Sequence, residues 1–358
     1  MSKKIKVFLG GFVNYTNAQN LNCLALAEYL DKEKFIVYTL EVYSGNLESQ
    51  KGKIKGVHIF NCFNPYRISS LLGFLWGIWH CDVAYLPKGE HWKFNRFILK
   101  FLGKKSFSTV EGIFDEENLK SAIQAFGSYD EFLDSNKFFN KLYPITDYLR
   151  SYNEKHHNMM MDSKVLYLGC DTETFRNTSS KSYQLKKIVY VGRLKRRKGI
   201  YDFLEIAGNF PDLDFEIFGN GEEEENIKNF LKEEQLNNVT LKGTVTHQEL
   251  AKHLKTSDLH IFPSRSEGFP KVTLETAAAG IPSIVYGDYG ANEWITSGKN
   301  GWVVNTVDET KELIAQLKNS PTELERISKN AIELAASFDW KIIVKDWEQE
   351  IEKLYKCL

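Results

Sequence analysis

Residues 186–199 read K-K-I-V-Y-V-G-R-L-K-R-R-K-G, an apolar run followed by a basic turn that ends in glycine. Its apolar run 186–191 predicts a buried strand. Arg193 and Lys198 then fall in the connection from that strand to the following helix, where open α/β sheets bind their ligands. Such a pair suits a diphosphate, because Arg binds two oxygens at once and Lys adds a point charge. A solvated basic turn is the alternative, since three further cations occupy 195–197.

Short apolar runs alternate with amphipathic segments along almost the whole chain. Runs that predict buried strands lie at 4–9, 35–40, 57–60, 82–86, 106–110, 186–191, 214–218, 239–243, 259–263 and 282–286. Strands that alternate with helices are typical of parallel, doubly wound sheets. The predicted fold class is therefore α/β, with two Rossmann-like domains and an interdomain cleft for ligands.

A polar stretch at 176–182 predicts the linker between these domains. The first domain is expected at 1–178 and the second at 179–339. The end of the chain, 340–358, predicts a long amphipathic helix that completes the first domain.

The bulk composition restricts the class of protein. The 358 residues carry a formal net charge of −1, so nothing in the total favours nucleic acid as a partner. The five cysteines are scattered and form no C-x-x-C pair, which disfavours a metal site or a disulfide framework. No apolar run is long enough to span a membrane, and the first residues do not resemble a signal peptide. A cytoplasmic protein is predicted.

A second motif, P-S-R-S-E-G-F-P-K-V-T-L-E-T-A-A-A-G-I-P, occupies 263–282. Gly268 and Pro270 place Glu267 in a loop and Glu275 about one turn inside the next helix. Both carboxylates then point toward the space above the helix N-terminus, where an anion binds. An exposed helical glutamate is the alternative interpretation of Glu275.

Two other patterns look like ligand sites and are interpreted otherwise. The turn I-F-G-N-G-E-E-E-E at 217–225 lacks the third glycine of a dinucleotide fingerprint, and its glutamates would repel a pyrophosphate. Its acidic run is expected to form a solvated first helical turn. Asp212 and Asp214 form a D-x-D pair, but a P-D-L-D turn is ordinary and no metal is expected there.

The segments at 191–199 and 263–282, with L-G-C-D-T-E-T-F at 168–175 and G-A-N-E-W-I…G-K-N-G-W-V-V at 290–304, resemble a known family. They look like the C-terminal domain of the retaining GT-B glycosyltransferases of family 4. The resemblance is dense from about 163 to 305, and the first half matches only in outline. It implies transfer of a sugar from a nucleotide diphosphate sugar with retention at the anomeric carbon. It also implies that no cofactor or metal is needed.

The resemblance also implies roles for individual residues. Arg193 and Lys198 would compensate the charge of the leaving diphosphate. Glu267 would accept hydrogen bonds from the donor sugar, and Glu275 would bind the ribose hydroxyls. The remaining donor-binding positions are Gly10, Gly11, Gly219, Thr244, Val245, Gly268, Phe269, Pro270, Lys271 and Val272.

One departure from the family concerns the acceptor side. Many relatives have a His after the strand that ends near position 110, whereas this chain has Glu111. Glu111 would receive the acceptor's proton or orient the acceptor. In a front-face mechanism the departing phosphate itself takes the proton, so no protein base is required. Glu90 and His91 are further candidates in this domain.

The segment 91–105 is basic, aromatic and amphipathic, which fits a helix at a membrane interface. A sheet-packing helix with a solvated basic face is the alternative. Together with 69–80, this segment is where peripheral contact with the inner face of the membrane is expected if the acceptor is lipid-linked.

The favoured function is a metal-independent retaining glycosyltransferase that uses a UDP-sugar, with GDP-sugars left open. Its acceptor would be a glycan or a lipid-linked saccharide in bacterial surface polysaccharide synthesis. A nucleotide-sugar epimerase on the same fold and a non-catalytic nucleotide-sugar-binding module are the alternatives.

Overall fold

The computed structural model describes residues 3–15, 17–44, 47–87, 89–177 and 183–357. The chain forms two compact units. The first contains the chain up to Ile145, Leu149–Leu168 and the C-terminal residues from Trp340, and the second contains Thr146–Tyr148 and Gly169–Asp339. Most of the predicted linker, at 178–182, lies outside the described residues.

The first unit contains a six-stranded parallel sheet in the order β3-β2-β1-β4-β5-β6. Its strands are β1 Ile5–Phe12, β2 Phe35–Val42, β3 Val57–Cys62, β4 Val83–Tyr85, β5 Lys105–Val110 and β6 Lys141–Pro144. Its helices are α1 Ala18–Tyr29, α2 Tyr66–His80, α3 Trp92–Phe101, α4 Glu116–Phe126, α5 Tyr129–Lys137, α6 Asp147–His157 and α14 Trp340–Lys356. The order reverses between β1 and β4, which makes this pair the topological switch point.

Side chains of adjacent residues in β4 point to opposite faces of this sheet. Ala84 shares a core cluster with Phe74 of α2 and Leu99 of α3. The ring of Tyr85 lies 5.2 Å from that of Trp347 in α14. Helices α2 and α3 therefore cover one face of the sheet, and α14 covers the other.

The second unit contains another six-stranded parallel sheet, in the order β12-β11-β10-β7-β8-β9. Its strands are β7 Lys187–Val191, β8 Asp214–Phe218, β9 Val239–Gly243, β10 Leu259–Phe262, β11 Ser283–Tyr286 and β12 Trp302–Val304. Its helices are α7 Thr172–Phe175, α8 Ile200–Asn209, α9 Glu224–Glu233, α10 His247–Leu254, α11 Lys271–Ala278, α12 Val307–Lys318 and α13 Pro321–Ser337. Short 3₁₀ turns add Arg196–Lys198 and Ala291–Glu293.

The predicted α/β class with two doubly wound parallel sheets is confirmed. All ten predicted strands are present, and two further strands, β6 and β12, were not predicted. Both are edge strands of three or four residues. Such short strands carry little apolar pattern, and β6 includes Pro144, which is tolerated at a sheet edge.

The start of the second unit differs from the predicted boundary at 178. The amide of Cys170 donates to the carbonyl of Phe338 at 3.0 Å, and Cys170 also forms an isolated bridge with Asp339. Phe175 belongs to the core cluster of the second unit. Residues 169–177 therefore group with the second unit, and the first and last segments of that unit lie side by side.

No helix among the described residues is long and apolar enough to cross a membrane.

Candidate functional site

The loops that follow β7 and β10 meet at the switch point of the second sheet. These two strands are neighbours, and the chain continues from them toward opposite edges. The amide of Arg265 donates to the carbonyl of Arg197 at 3.2 Å. Gly199 has φ +71°, and a Cβ there would lie 2.0 Å from the carbonyl oxygen of Pro263. Contact this close requires glycine, so the two loops hold each other in place.

This contact brings together Lys198 and Glu267, which are 69 residues apart in the sequence. The Lys198 Nζ lies 2.5 Å from Glu267 Oε1, and the Oγ of Ser264 donates to the same oxygen at 2.6 Å. Only 16% of the Lys198 side chain and 11% of the Glu267 side chain are exposed. The cation expected for the diphosphate is thus paired with the carboxylate expected for the sugar.

The other cations of the basic loop have different surroundings. Lys195 pairs with Glu222 at 3.4 Å, and Arg196 Nε donates to Glu223 at 3.1 Å. Arg193 is exposed. The basic turn is therefore only partly solvated, and Arg193 is its exposed cation next to β7.

The acidic run that was expected to be solvated is partly buried, which corrects that prediction. Glu223 is 8% exposed and accepts hydrogen bonds from Tyr201, Asn226 and Arg196. These donors, with Tyr201 first, lower the pKa of the Glu223 carboxyl. The run therefore fixes the neighbouring basic loop as well as beginning α9.

Gly219 is required by packing between two loops. Its φ is +131°, and a Cβ there would lie 1.9 Å from the carbonyl oxygen of Gly192. After β9, Thr244 is exposed and Val245 packs partly against the core. These residues follow the carboxyl ends of β8 and β9, at the same edge of the sheet as Lys198.

Helix α11 begins after Pro270, as the sequence predicted. Lys271, Val272 and Gly268 are half-buried at its start. Phe269 is buried, with its ring 4.9 Å from that of Trp294, so its side chain anchors the loop in the protein.

Glu275 lies inside the first turns of α11 and is partly buried. Burial raises the pKa of its carboxyl, and the nearby His247 and Lys271 oppose that shift. A solvent-exposed helical glutamate does not describe this environment. The D-x-D pair lies elsewhere, with Asp212 bound to Lys318 at 2.6 Å.

The first unit has a cavity of about 520 Å³ at its own switch point. The side chain of Gln19, at the start of α1, donates to the carbonyl of Pro87 after β4 at 2.7 Å. The cavity is lined by polar groups of Asn17, Gln19, Ser108, Glu111 and Asn136 and by the rings of Phe114, Phe126, Phe132 and Phe139, among others. A pocket with an apolar wall and a few polar groups is typical of a small-ligand site.

Glu111 is the carboxylate of this cavity. Asn22 Nδ2 donates to it at 3.0 Å, and the hydroxyls of Tyr85 and Thr109 lie 3.3 and 3.1 Å from its Oε1. Those hydroxyls also bond to each other, so together they supply two protons for three contacts. These contacts hold the carboxylate in one orientation.

Gly10 and Gly11 are packed against other residues of the first unit. Both are buried within β1. A Cβ on Gly10 would lie 2.6 Å from Leu86, and one on Gly11 would lie 2.6 Å from Cys23. Packing inside the first unit accounts for both glycines.

Glu90 and His91 are not among the residues that line this cavity. The Nε2 of His91 lies 2.8 Å from the Ser70 hydroxyl, and burial lowers the pKa of the imidazole. The structure therefore separates this pair from Glu111.

Two residues near Glu267 were not predicted from the sequence. Ser264 positions the carboxylate through its hydroxyl. Tyr289 is fully buried, and within the described part of the chain its hydroxyl has no hydrogen-bond partner. Burial raises the pKa of Tyr289, and the charge of Glu267 adds to the shift. Neither residue type signals a site by itself, and only the folded contacts identify them.

Two parallel α/β sheets of this kind define the GT-B fold, and solved structures confirm it. Sucrose-phosphate synthase from Thermosynechococcus elongatus has a TM-score of 0.81 at 15% identity, covering 99% of this chain and 100% of that chain. HepE of Anabaena in complex with UDP-glucose has a TM-score of 0.77 at 15% identity, with coverage of 99% and 100%. At this identity the similarity shows the fold alone.

The sequence comparisons point to a particular family within that fold. Residues 171–334 match the family model of the glycosyl transferases group 1, which is a little under half of the chain. An uncharacterised glycosyltransferase of Methanocaldococcus jannaschii is 27% identical over 217 residues, which is 60% of this chain and 60% of that protein. The chain thus spans less than two thirds of that relative's length. These findings support a glycosyltransferase of the GT-B fold.

Proposed function

We propose that the protein is a retaining, metal-independent glycosyltransferase of family 4 that moves a hexosyl or N-acetylhexosaminyl group from a UDP-sugar. The acceptor is a glycan or a lipid-linked saccharide of bacterial surface polysaccharide synthesis. The protein works in the cytoplasm, and its first unit contacts the membrane peripherally. One observation carries the proposal: the pairing of Lys198 with Glu267 at the switch point, inside the segment that matches the family.

The charges at this site suit a leaving diphosphate. Arg193 is exposed and Lys198 is held at the carboxyl edge of the sheet, so both are available to its oxygens. Fixed cations that meet developing negative charge are the largest source of rate enhancement in such reactions. The start of α11 at Lys271, directly after the loop with Gly268, adds the positive end of a helix dipole, which favours an anion.

The carboxylates bind hydroxyl groups in this mechanism. Glu267 accepts from the donor sugar once Lys198 has turned to the diphosphate. Glu275 accepts from the ribose diol, and Thr244 and Val245 border the base. The raised pKa of Glu275 is consistent with a group that lacks water and gains from hydroxyl donors.

The acceptor binds in the 520 Å³ cavity of the first unit. Glu111 orients its hydroxyl, since Asn22 and the neighbouring hydroxyls of Tyr85 and Thr109 hold the carboxylate in place. The proton passes to the departing phosphate oxygen, and the new glycosidic bond forms on the same face.

A transfer assay with UDP-, GDP- and ADP-sugars against a panel of saccharide acceptors tests this proposal. We expect transfer from a UDP-sugar, unchanged by EDTA, with the anomeric configuration of the donor kept in the product by NMR. Arg193→Ala and Lys198→Ala should each lower kcat by about 10²–10³. Lys195→Ala is the matched control, since Lys195 pairs with Glu222 in the same loop and should keep normal transfer.

Full activity in both the Arg193 and the Lys198 variant would disprove the site. Loss of activity in EDTA that a divalent cation restores would disprove metal independence. Conversion of the donor without any acceptor would show an epimerase in place of a transferase.

A further inference from the structure

Helices α2 and α3 present an unusual outer surface on the first unit. Both pack against the same face of the sheet through Phe74 and Leu99. Their opposite sides therefore face away from the sheet. We define the α2–α3 face by seven outward side chains: Ile68, Leu72, Trp79, Arg96, Phe97, Lys100 and Phe101.

Large apolar side chains on this face are exposed. Phe97 and Phe101 are 65% and 75% exposed, and their rings stack one helical turn apart at 6.2 Å. Trp79 is 62% exposed, and Ile68 and Leu72 lie on the same helix. Clusters of exposed apolar groups mark surfaces that contact another phase or another molecule.

Next to the two phenylalanines lies a cationic cavity of about 300 Å³. Its lining includes Arg96, Lys100 and Lys104 with Ser106, Phe138 and Asn140, and no carboxylate lines it among the residues that the structure describes. The Nζ of Lys104 donates to the carbonyl of Cys81 at 2.6 Å, which holds that charge in place. By contrast, Lys93 on the same helix pairs with Glu131 at 2.8 Å. The cavity thus gathers three positive charges that an anion would balance.

We propose that the α2–α3 face docks on an anionic lipid bilayer, with a headgroup phosphate at Arg96, Lys100 and Lys104 and with Phe97 and Phe101 inserted among the acyl chains. Aromatic rings beside cations are the combination that the bilayer interface selects. The phosphate fits the cations, and the apolar groups lose their contact with water. This surface deepens the proposed membrane contact but does not depend on transferase activity.

A second copy of this chain fits the face less well. A twofold interface joins the same surface patch of both copies. Both patches carry Arg96 and Lys100, and no carboxylate is among the side chains that define the face, so like charges would be brought together and disfavour association. An anionic surface has no such conflict.

Vesicle co-sedimentation of the full chain, without donor or acceptor, tests the proposal. We expect binding to vesicles of equal parts phosphatidylcholine and phosphatidylglycerol, weak binding to phosphatidylcholine alone, and weaker binding as salt rises. The double variant Arg96→Gln/Lys100→Gln should lower the partition coefficient about 30-fold, since each surface cation contributes a factor of about five. The double variant Phe97→Ser/Phe101→Ser should also lose binding, even to the anionic vesicles.

Two control variants match these changes. Lys252→Gln/Lys255→Gln removes two exposed charges from the second unit. Ile342→Ser removes an exposed apolar side chain from α14, which covers the other face of the sheet. Both should bind vesicles normally, and circular dichroism should show that every variant is folded.

If the Arg96→Gln/Lys100→Gln and Phe97→Ser/Phe101→Ser variants both bound the anionic vesicles as well as the unaltered protein does, the proposal would be overturned. Equal binding to both kinds of vesicle would overturn the headgroup site. A dimer in solution that the phenylalanine variant dissociates would assign the face to a second copy instead. Because no transfer is measured, a failure here removes the proposed membrane contact of the first unit and leaves the proposed transfer reaction untouched, and a failure of transfer leaves the membrane contact untouched.

Discussion

Glu267→Gln separates two effects of the ion pair at the switch point. The substitution keeps the shape of the side chain and removes its charge, so Lys198 loses its partner at 2.5 Å. A charge-assisted hydrogen bond contributes about 1.5–3 kcal/mol net. With both side chains largely buried, we expect a loss of about 2 kcal/mol in the free energy of unfolding. For a unit of this size that lowers Tm by about 4–8 °C.

The same change should improve binding of the product nucleotide. In the proposed mechanism the diphosphate competes with the Glu267 carboxylate for Lys198. The variant has no repelling carboxylate and only a neutral oxygen beside Lys198, so UDP should bind about tenfold more tightly, which is about 1.4 kcal/mol. Transfer should nevertheless fall, because a neutral amide oxygen is a weaker acceptor for the sugar hydroxyl than a carboxylate.

Isothermal titration with UDP and a thermal melt measure the two effects on one sample. Glu222→Gln is the control, since its pair with Lys195 is longer, at 3.4 Å, and Glu222 is 64% exposed. It should change neither Tm nor UDP affinity measurably. Unchanged or weaker UDP binding by Glu267→Gln would refute the competition, even if the melting temperature falls as expected.

Three further predictions concern the free energy of unfolding. Gly219→Ala should lower it by more than about 3 kcal/mol in urea unfolding, because its Cβ would overlap a backbone carbonyl. Gly103→Ala, at φ +63° with open space around it, should lower it by about 1–2 kcal/mol, and equal losses would contradict the packing argument. Burial lowers the pKa of His260 to about 3, so only the unfolded chain gains its proton as pH falls from 6.5. Stability should then fall by about 1.4 kcal/mol per pH unit from this residue, and His260→Gln should flatten the measured slope by that amount. Trp347→Ala should cost about 3–5 kcal/mol by denaturant titration, since the side chain is fully buried, while Ile342→Ala on the exposed side of the same helix should cost little.

The sequence was sufficient for the fold because both sheets are parallel and buried on two sides. Their strands therefore appear as continuous apolar runs, and helical segments separate them. The exceptions, β6 and β12, are edge strands of four and three residues. At that length the hydrophobic pattern is too short to distinguish a strand from a loop.

The candidate site was predictable in its parts and not in its contacts. Arg193, Lys198 and Glu267 were predicted as site residues because they occupy loops after strands, and their role stays a prediction. Lys198 and Glu267 lie in loops that follow β7 and β10. These loops meet only because the two strands are neighbours in the sheet, which the sequence does not show. The glutamates at 222–225 were expected to be solvated, because the sequence does not show that Arg196 donates a hydrogen bond to Glu223.

The roles of three glycines could not be predicted from the sequence for a similar reason. Gly10, Gly11 and Gly219 were predicted as donor-binding positions, and in the structure neighbouring protein atoms occupy the space of each missing Cβ. A sequence shows that a close approach is required. It does not show whether the approaching atoms belong to a ligand or to the chain itself.

The bridge between Cys170 and Asp339 has a consequence for how such proteins diversify. Because Gly169–Asp339, the main segment of the second unit, begins and ends at adjacent residues, its replacement leaves the two junctions in register. If this segment binds the sugar donor as proposed, recombination at these junctions would exchange the donor while the surrounding chain keeps its order. Chimeras built at 170 and 339 are therefore a direct test of whether this segment sets donor specificity.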